Sequence, residues 1–132
     1  MAEDSAQRTA KVLVYSDNSM LREQIMHIVG RKVASDVPEI EFTEAATWQG
    51  ADLKVQEQHF DLLILDAETP KLGGIGFGKK VRDEYDPDIP YIVIVARPQD
   101  EWLARSAKPN AVIVQPITPK ELAAAVADIL RK

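Results

Sequence analysis

The apolar positions of this chain fall into five short runs, separated by longer stretches in which apolar residues recur at helical spacing. Val, Ile and Leu dominate four of the runs, whereas the second run alternates between apolar and polar residues. Runs of this length, bounded by polar or turn-forming residues, are typical of buried strands. The predicted strands are Lys11–Ser16, Glu39–Ala45, Asp61–Asp66, Pro90–Ala96 and Asn110–Pro116.

A helical pattern follows each run. The predicted helices cover residues 18–32, 50–60, 74–85, 99–107 and 118–132. The last has the clearest start, because Thr118 suits the N-cap, Pro119 suits the first helical position and Glu121 can complete a capping box. Its apolar stripe consists of Leu122, Val126, Ile129 and Leu130.

Strands that alternate with helices predict an α/β fold. Five βα units with continuously apolar strands indicate a parallel sheet that helices cover on both faces, as in doubly wound proteins. The 132 residues suit one domain, which we assign to residues 11–132. Residues 1–10 are polar and acidic, and they predict a flexible N-terminal tail.

The composition and charge of the chain argue against several classes of function. Hydrophobic residues make up 45% and charged residues 28%, as expected of a soluble globular protein. The absence of cysteine excludes disulfides, thiolate metal sites and thiol catalysis. The formal charge of −5 predicts no nucleic-acid partner. No run is long enough to insert in a membrane, so we expect a cytoplasmic protein. His27 and His59 are expected to be ordinary helix-face residues.

Two carboxylates stand where a doubly wound sheet binds ligands, outside the carboxyl ends of its strands. Asp17 follows the first strand and Asp66 ends the third, so the two face each other if these strands are neighbours. At roughly 4 Å their repulsion costs about 4 kcal/mol at an effective dielectric near 20. Mg²⁺ would relieve it. The alternative is that each Asp caps the following helix, which is favoured for Asp17 alone. The pair favours a metal site, present or ancestral.

Four segments together resemble the receiver domain of bacterial response regulators: VLVYSDN, DLLILDAETPKLGG, IPYIVIVA and VIVQPITPKEL. The resemblance covers nearly all of residues 11–132. It implies a flavodoxin-like (βα)₅ sheet with strand order 2-1-3-4-5. It also implies that Asp66 accepts a phosphoryl group from a histidine kinase, with Mg²⁺ held by Asp17, Asp66 and the backbone carbonyl of Glu68.

Four positions depart from the pattern of that family. Ser16 stands in place of a second acid, and Val95 in place of a hydroxyl residue that bonds the phosphoryl oxygens. Val112 replaces an aromatic switch residue, and Gln115 replaces a lysine. A neutral amide cannot replace the charge of lysine. We therefore predict an atypical receiver, or pseudo-receiver, in which Mg²⁺ binding is weak and phosphorylation of Asp66 is at most residual.

Two further features lie close to these positions. Arg97 could partly replace the lost cation, although a solvated loop residue is the favoured interpretation. The Gln115–Pro116 bond falls where the family commonly has a cis peptide, and the sequence permits either isomer.

A glycine-rich segment, Gly73–Lys80, approaches the phosphate-binding pattern G-x-x-x-x-G-K. Lys80 stands where that pattern needs Ser or Thr, and the segment does not follow a strand directly. A pliable helix start is therefore the favoured interpretation over nucleotide hydrolysis.

The tryptophans suggest different roles. Trp48 is expected in the core, whereas Trp102 is a candidate for an interaction surface, because its helix is short and lies between Pro98 and Pro109. In the resembling family the face made by helix four, strand five and helix five makes dimers and partner contacts, so a homodimer is a further expectation.

Three functions remain open. The leading hypothesis is a stand-alone, non-enzymatic regulatory module that binds a protein partner, either a histidine kinase or a larger assembly in which it is an accessory subunit. The second is a single-domain response regulator phosphorylated on Asp66. The third, a small flavin or nucleotide carrier, is disfavoured because the first βα turn, SDNSML, contains no glycine.

Overall fold

Five parallel strands alternate with five α-helices in residues 8–131, the part of the chain that the computed structural model describes. In chain order the elements are β1 (Thr9–Tyr15), α1 (Ser19–Val29), β2 (Glu39–Ala45), α2 (Trp48–Glu57), β3 (Leu62–Asp66), α3 (Gly74–Glu84), β4 (Tyr91–Val95), a 3₁₀ turn (Pro98–Asp100), α4 (Glu101–Ser106), β5 (Ala111–Val114) and α5 (Pro119–Leu130). The strand order is β2-β1-β3-β4-β5. The predicted flavodoxin-like (βα)₅ fold is thereby confirmed.

The first strand begins two residues earlier than predicted. Thr9 and Ala10 pair with Glu39 and Ile40 of β2, so neither residue belongs to a tail. Ala10 is also buried in the core, because its side chain faces the helices that cover one side of the sheet. The rest of the predicted tail, residues 1–7, lies outside the described residues.

The core has two halves, one on each face of the sheet. Alternate residues of β1 enter different halves: Val12 and Val14 pack with α1 and α5, whereas Leu13 and Tyr15 pack with α2 and α3. Burying one such side chain stabilises the fold by about 1.5–3 kcal/mol. Burial on both faces explains why the inner strands are continuously apolar.

The helix starts correct two expectations. Asn18, not Asp17, caps α1, because its side chain accepts hydrogen bonds from the amides of Met20 and Leu21. Thr118 does occupy the N-cap position of α5, with Pro119 in the first turn, but its side chain makes no capping hydrogen bond. The predicted capping box with Glu121 is therefore not formed.

The glycines of α3 allow this helix to lie directly against the sheet. A Cβ atom on Gly74 would stand 2.8 Å from the Cβ atom of Leu65 and 3.0 Å from the carbonyl carbon of Asp66. A Cβ atom on Gly78 would stand 2.6 Å from the ring of Tyr91. Close packing, rather than a pliable start, therefore accounts for these two glycines.

No helix between residues 8 and 131 combines the length and the apolar character needed to cross a membrane.

Candidate functional site

The carboxyl ends of β1 and β3 form the candidate site. The two strands are neighbours, with Tyr15 paired to Leu65, and each continues directly into a polar residue of the site. Ser16 follows β1 and is completely buried, while Asp66 ends β3 and is only 5% exposed. The topology thus brings together the residues that the sequence placed 50 positions apart.

Both oxygens of the Asp66 carboxylate accept hydrogen bonds from neutral groups of the chain. The Ser16 hydroxyl donates to Oδ2 at 2.7 Å, and the Glu68 amide donates to Oδ1 at 2.8 Å. An ionised carboxylate offers about four acceptor positions, so each oxygen retains capacity for a further ligand. These two bonds offset much of the cost of burying Asp66.

Asp17 lies on the solvent side of the same edge. It is exposed, and its side chain makes no hydrogen bond or ion pair with another described residue. Burial, and then the charges of Asp17 and Asp66, raise the pKa of the Tyr15 hydroxyl to about 12. Both carboxylates therefore contribute to the raised pKa of one buried phenol.

Tyr15 also holds the loop that follows Asp66. Its hydroxyl donates a hydrogen bond to the carbonyl of Leu72, and its ring lies 5.0 Å from that of Phe77 in α3. Thr69, in the same loop, is buried, and its hydroxyl has no hydrogen-bond partner among the described residues. The loop is therefore fixed to the core at Tyr15 and carries one unsatisfied polar group.

The residues fit a Mg²⁺ ion with a reduced set of ligands. Asp17 and Asp66 supply carboxylates, and the backbone carbonyl of Glu68 would complete the predicted set with waters, which is a donor mix that Mg²⁺ accepts. Residues 8–131 contain no group of three or more His, Asp and Glu side chains able to hold a metal. At this edge Ser16 presents a hydroxyl, which is already bonded to Asp66, and not a further carboxylate.

The remaining predicted positions are uncharged and lie on or directly after β4 and β5. Val95 and Val112 are buried in the half of the core that contains Tyr15. Gln115 follows β5, and its backbone amide donates a 2.9 Å hydrogen bond to the backbone carbonyl of Val95. The Gln115–Pro116 peptide bond is cis. The side chains that end β4 and β5 are thus apolar or neutral.

Arg97 does not contact the pocket carboxylate. Its guanidinium binds Asp100 twice, with Nε 3.0 Å from Oδ2 and one terminal nitrogen 2.9 Å from Oδ1. This pairing lowers the pKa of Asp100 and raises that of Arg97. The hypothesis that Arg97 replaces a lost cation at Asp66 is therefore wrong for this conformation, and the loop interpretation agrees with the structure.

One residue of the site was missed in the sequence. Arg22 of α1 donates to the carbonyl of Ser16 at 2.7 Å and to the carboxylate of Glu44 at 2.8 Å. The position of Arg22 on α1, one turn after the N-cap residue Asn18, could have indicated this role. Recognising the contact also requires knowing that β2 lies beside β1.

The two tryptophans differ in exposure. Trp48 is partly buried and packs against the core, whereas Trp102 is 74% exposed on α4 beside the half-exposed Leu103. His27 and His59 are exposed, but His59 lies after the end of α2 and not on a helix.

Several known proteins are similar to this chain over most of its length. A family model described as "Response regulator receiver domain" matches residues 12–127. An uncharacterised response regulatory protein of Mycobacterium tuberculosis is 35% identical over 121 residues, which cover 92% of this chain and 91% of the relative. The phosphate regulon transcriptional regulatory protein PhoB of Escherichia coli is 29% identical over 92% of this chain, which spans 52% of PhoB.

Solved structures agree with the fold. The chemotaxis response regulator CheY4 of Vibrio cholerae superimposes with a TM-score of 0.78 at 24% identity, covering 93% of this chain and 100% of CheY4. The receiver domain of the Francisella response regulator 1452 gives a TM-score of 0.78 at 20% identity, covering 92% and 97% of the two chains.

Proposed function

The chain belongs to the response regulator receiver domain family, and from that membership we propose that it acts in two-component signalling as an atypical receiver. In this proposal it is a regulatory module that binds a protein partner and works largely without phosphorylation. One observation carries the proposal: the Asp66 carboxylate is held by the Ser16 hydroxyl and the Glu68 amide, and no Lys or Arg side chain from residues 8–131 hydrogen-bonds it.

The electrostatics of phosphorylation explain why this observation matters. A phosphoryl group brings roughly 1.5–2 negative charges into the pocket. Ser16 and Gln115 have neutral side chains, which can donate hydrogen bonds to phosphoryl oxygens but bring no positive charge to offset the added negative charge. The phosphorylated form of Asp66 is therefore expected to be sparsely populated.

Mg²⁺ binding is expected to be weak for a related reason. The pocket offers two carboxylates, Asp17 and Asp66, and both oxygens of Asp66 already accept one hydrogen bond each. When bound, the ion would supply positive charge beside the phosphoryl oxygens. Its ligands would be Asp17, Asp66 and the Glu68 carbonyl.

The candidate partner surface is the face made by α4, β5 and α5. Trp102 and Leu103 form an exposed apolar patch on α4, and tryptophan is enriched at the centres of protein interfaces. We expect this face to bind the protein partner, either a histidine kinase or a larger assembly, or to bind a second copy of the chain. The formal charge of −5 supports no role in nucleic-acid binding.

Amide NMR of the purified protein tests the proposal. With millimolar Mg²⁺ and beryllofluoride, the resonances of Asp17, Asp66 and Glu68 are expected to stay within the small changes produced by salt alone. The matched control is Asp66→Asn, which removes the acceptor while keeping the volume of the side chain. Large shifts in the native chain that disappear in Asp66→Asn would overturn the phosphorylation-independent function.

That contrary result would support the second candidate, a response regulator phosphorylated on Asp66. The observation in its favour is that Asp66 still ends β3 beside β1, with the exposed Asp17 on the same edge. Incubation with acetyl phosphate and intact mass spectrometry would then detect the phosphorylated chain. The flavin carrier receives no support from the family match.

A further inference from the structure

Ser16 is held in place through every polar group that it has. Its amide donates to the carbonyl of Ala45 at 3.1 Å. Its hydroxyl accepts from the Asn18 amide at 3.0 Å and donates to Asp66 at 2.7 Å. Its carbonyl accepts from Arg22 at 2.7 Å. Because Ser16 is also completely buried, its hydroxyl has little freedom to leave Asp66 unless one of these neighbours moves.

Of these four neighbours, Arg22 alone is cationic. Its side chain is 16% exposed and bridges two elements, since one terminal nitrogen binds the Ser16 carbonyl while Nε binds Glu44 of β2. A guanidinium is planar and presents its donors in a rigid fork, so the bond to Glu44 also fixes the direction of the bond to Ser16. Glu44 itself is 47% exposed.

We propose that Arg22 is a positioning residue of the Asp66 site, which it reaches through Ser16. Glu44 holds the guanidinium of Arg22, Arg22 holds the backbone of Ser16, and the Ser16 hydroxyl is thereby kept on the Asp66 carboxylate. Within residues 8–131, Arg22 makes no hydrogen bond or ion pair with Asp66 or Asp17, so its effect is on geometry. The proposal rests on the proposed function in one respect, because it takes Asp66 as the functional centre.

The exposed carboxylate of Glu44 gives this arrangement a consequence at the surface. A cationic group of a partner that binds Glu44 would compete with Arg22 for it. The guanidinium would then lose the bond that orients it, and the Ser16 carbonyl would lose its donor. Binding of a partner at Glu44 would therefore alter the hydrogen bond between Ser16 and the buried carboxylate of Asp66.

Two backbone amides report on the arrangement directly. The Asn18 amide donates to the Ser16 hydroxyl, and the Glu68 amide donates to Asp66. We expect Arg22→Ala to shift both amide resonances, because the Ser16 hydroxyl would move on Asp66. The matched control is Arg31→Ala, which removes an exposed arginine whose 3.7 Å pair with Glu39 does not involve the site.

Shifts confined to α1 and β2 in Arg22→Ala would overturn the proposal, since Arg22 would then only join a helix to a strand. If that variant does not fold, Glu44→Gln serves in its place. It keeps an acceptor while removing the charge, and it is expected to shift the same two amides by less. Unchanged Asn18 and Glu68 resonances in Glu44→Gln would likewise overturn the proposal. The spectra are recorded without Mg²⁺ or phosphodonor, so the outcome is independent of whether Asp66 is phosphorylated.

Discussion

At the scale of single residues, the most consequential side chain is Ser16. A second carboxylate in its place would repel Asp66, whereas a hydroxyl donates to it at 2.7 Å. Serine at this position therefore lowers the cost of burying Asp66, and it offers no carboxylate to a metal ion.

Ser16→Ala is expected to destabilise the fold by about 1–3 kcal/mol, because Asp66 loses a donor while it remains buried. The measurement is urea unfolding of the native and variant proteins at neutral pH. Ser35→Ala is the control, because Ser35 is exposed, and surface changes of this kind usually stay within about 0.5 kcal/mol. Equal losses in the two variants would show that the Ser16 bond contributes nothing specific.

Tyr15 makes the stability sensitive to high pH. Its pKa is raised from 10.0 to about 12 in the folded chain, so the native state holds the phenol proton more tightly than the unfolded state. This contribution is complete below pH 10 and is lost as the pH rises through about 12. The free energy of unfolding should fall with a slope of up to about 1.4 kcal/mol per pH unit for this group.

Tyr15→Phe is expected to flatten that slope, and unfolding measured between pH 9 and pH 12, in about half-unit steps, would show it. Tyr91, whose pKa is also raised mainly by burial, contributes a remaining part of the slope in both proteins. An unchanged slope in Tyr15→Phe would mean that the Tyr15 phenol does not carry the effect.

At the scale of elements, hydrophobic patterning was sufficient for every strand and helix. The inner strands are continuously apolar, β2 alternates, and the helices have apolar residues at helical spacing. The ends were harder to predict. Asp17 and Asn18 are equally good caps in isolation, and the structure selects Asn18. Thr9 appears polar and terminal, yet its pairing with Glu39 extends β1, which depends on a strand distant in sequence.

The sequence indicated that Asp17 and Asp66 lie at one edge of the sheet, but it indicated neither Arg22 nor the hydrogen bonds around Asp66. Asp17 and Asp66 were brought together by the order of the strands, which the alternation of elements already indicated. The bonds of Ser16 to Asp66 and of Arg22 to Glu44 depend on side-chain conformations and on the register of β1 with β2. Neither the side-chain conformations nor the strand register can be inferred from a pattern in a single sequence.

Helix α3 offers a test of why its glycines are needed. Gly78→Ala is expected to cost about 1–3 kcal/mol, because the new methyl group would meet the Tyr91 ring, whose hydroxyl is bonded to Ala107. Gly76→Ala is the matched variant, since its methyl group would meet only the end of the Leu72 side chain.

Gly76→Ala is expected to be neutral or to stabilise the fold by up to about 1 kcal/mol, the advantage of alanine over glycine within a helix. Thermal or urea unfolding of both variants measures the difference. A loss at Gly76 as large as that at Gly78 would contradict the role given to the Tyr91 contact.

At the scale of the whole molecule, the apolar patch on α4 is separate from the core. Trp102→Ala should therefore change the free energy of unfolding by no more than about 0.5 kcal/mol. If copies of the chain associate through this face, as we expect, the substitution should weaken association by about 2 kcal/mol, roughly a factor of 30.

Sedimentation equilibrium at several protein concentrations measures that association. Leu53→Ala is the control, because Leu53 is an exposed apolar residue of α2, on a different helix. Association that is unaffected by Trp102→Ala would exclude this face as the site of self-contact.

The division of the core by the sheet has a consequence for how mutations combine. Ile25 lies in the half that contains α1 and α5, and Val81 lies in the half that contains α3. The two side chains therefore belong to different clusters of buried residues, on opposite faces of the sheet. The losses from Ile25→Val and Val81→Ala should therefore be additive to within about 0.5 kcal/mol in the double variant. The chain would then tolerate substitution in each half independently, and only residues within the sheet itself would show epistasis with both.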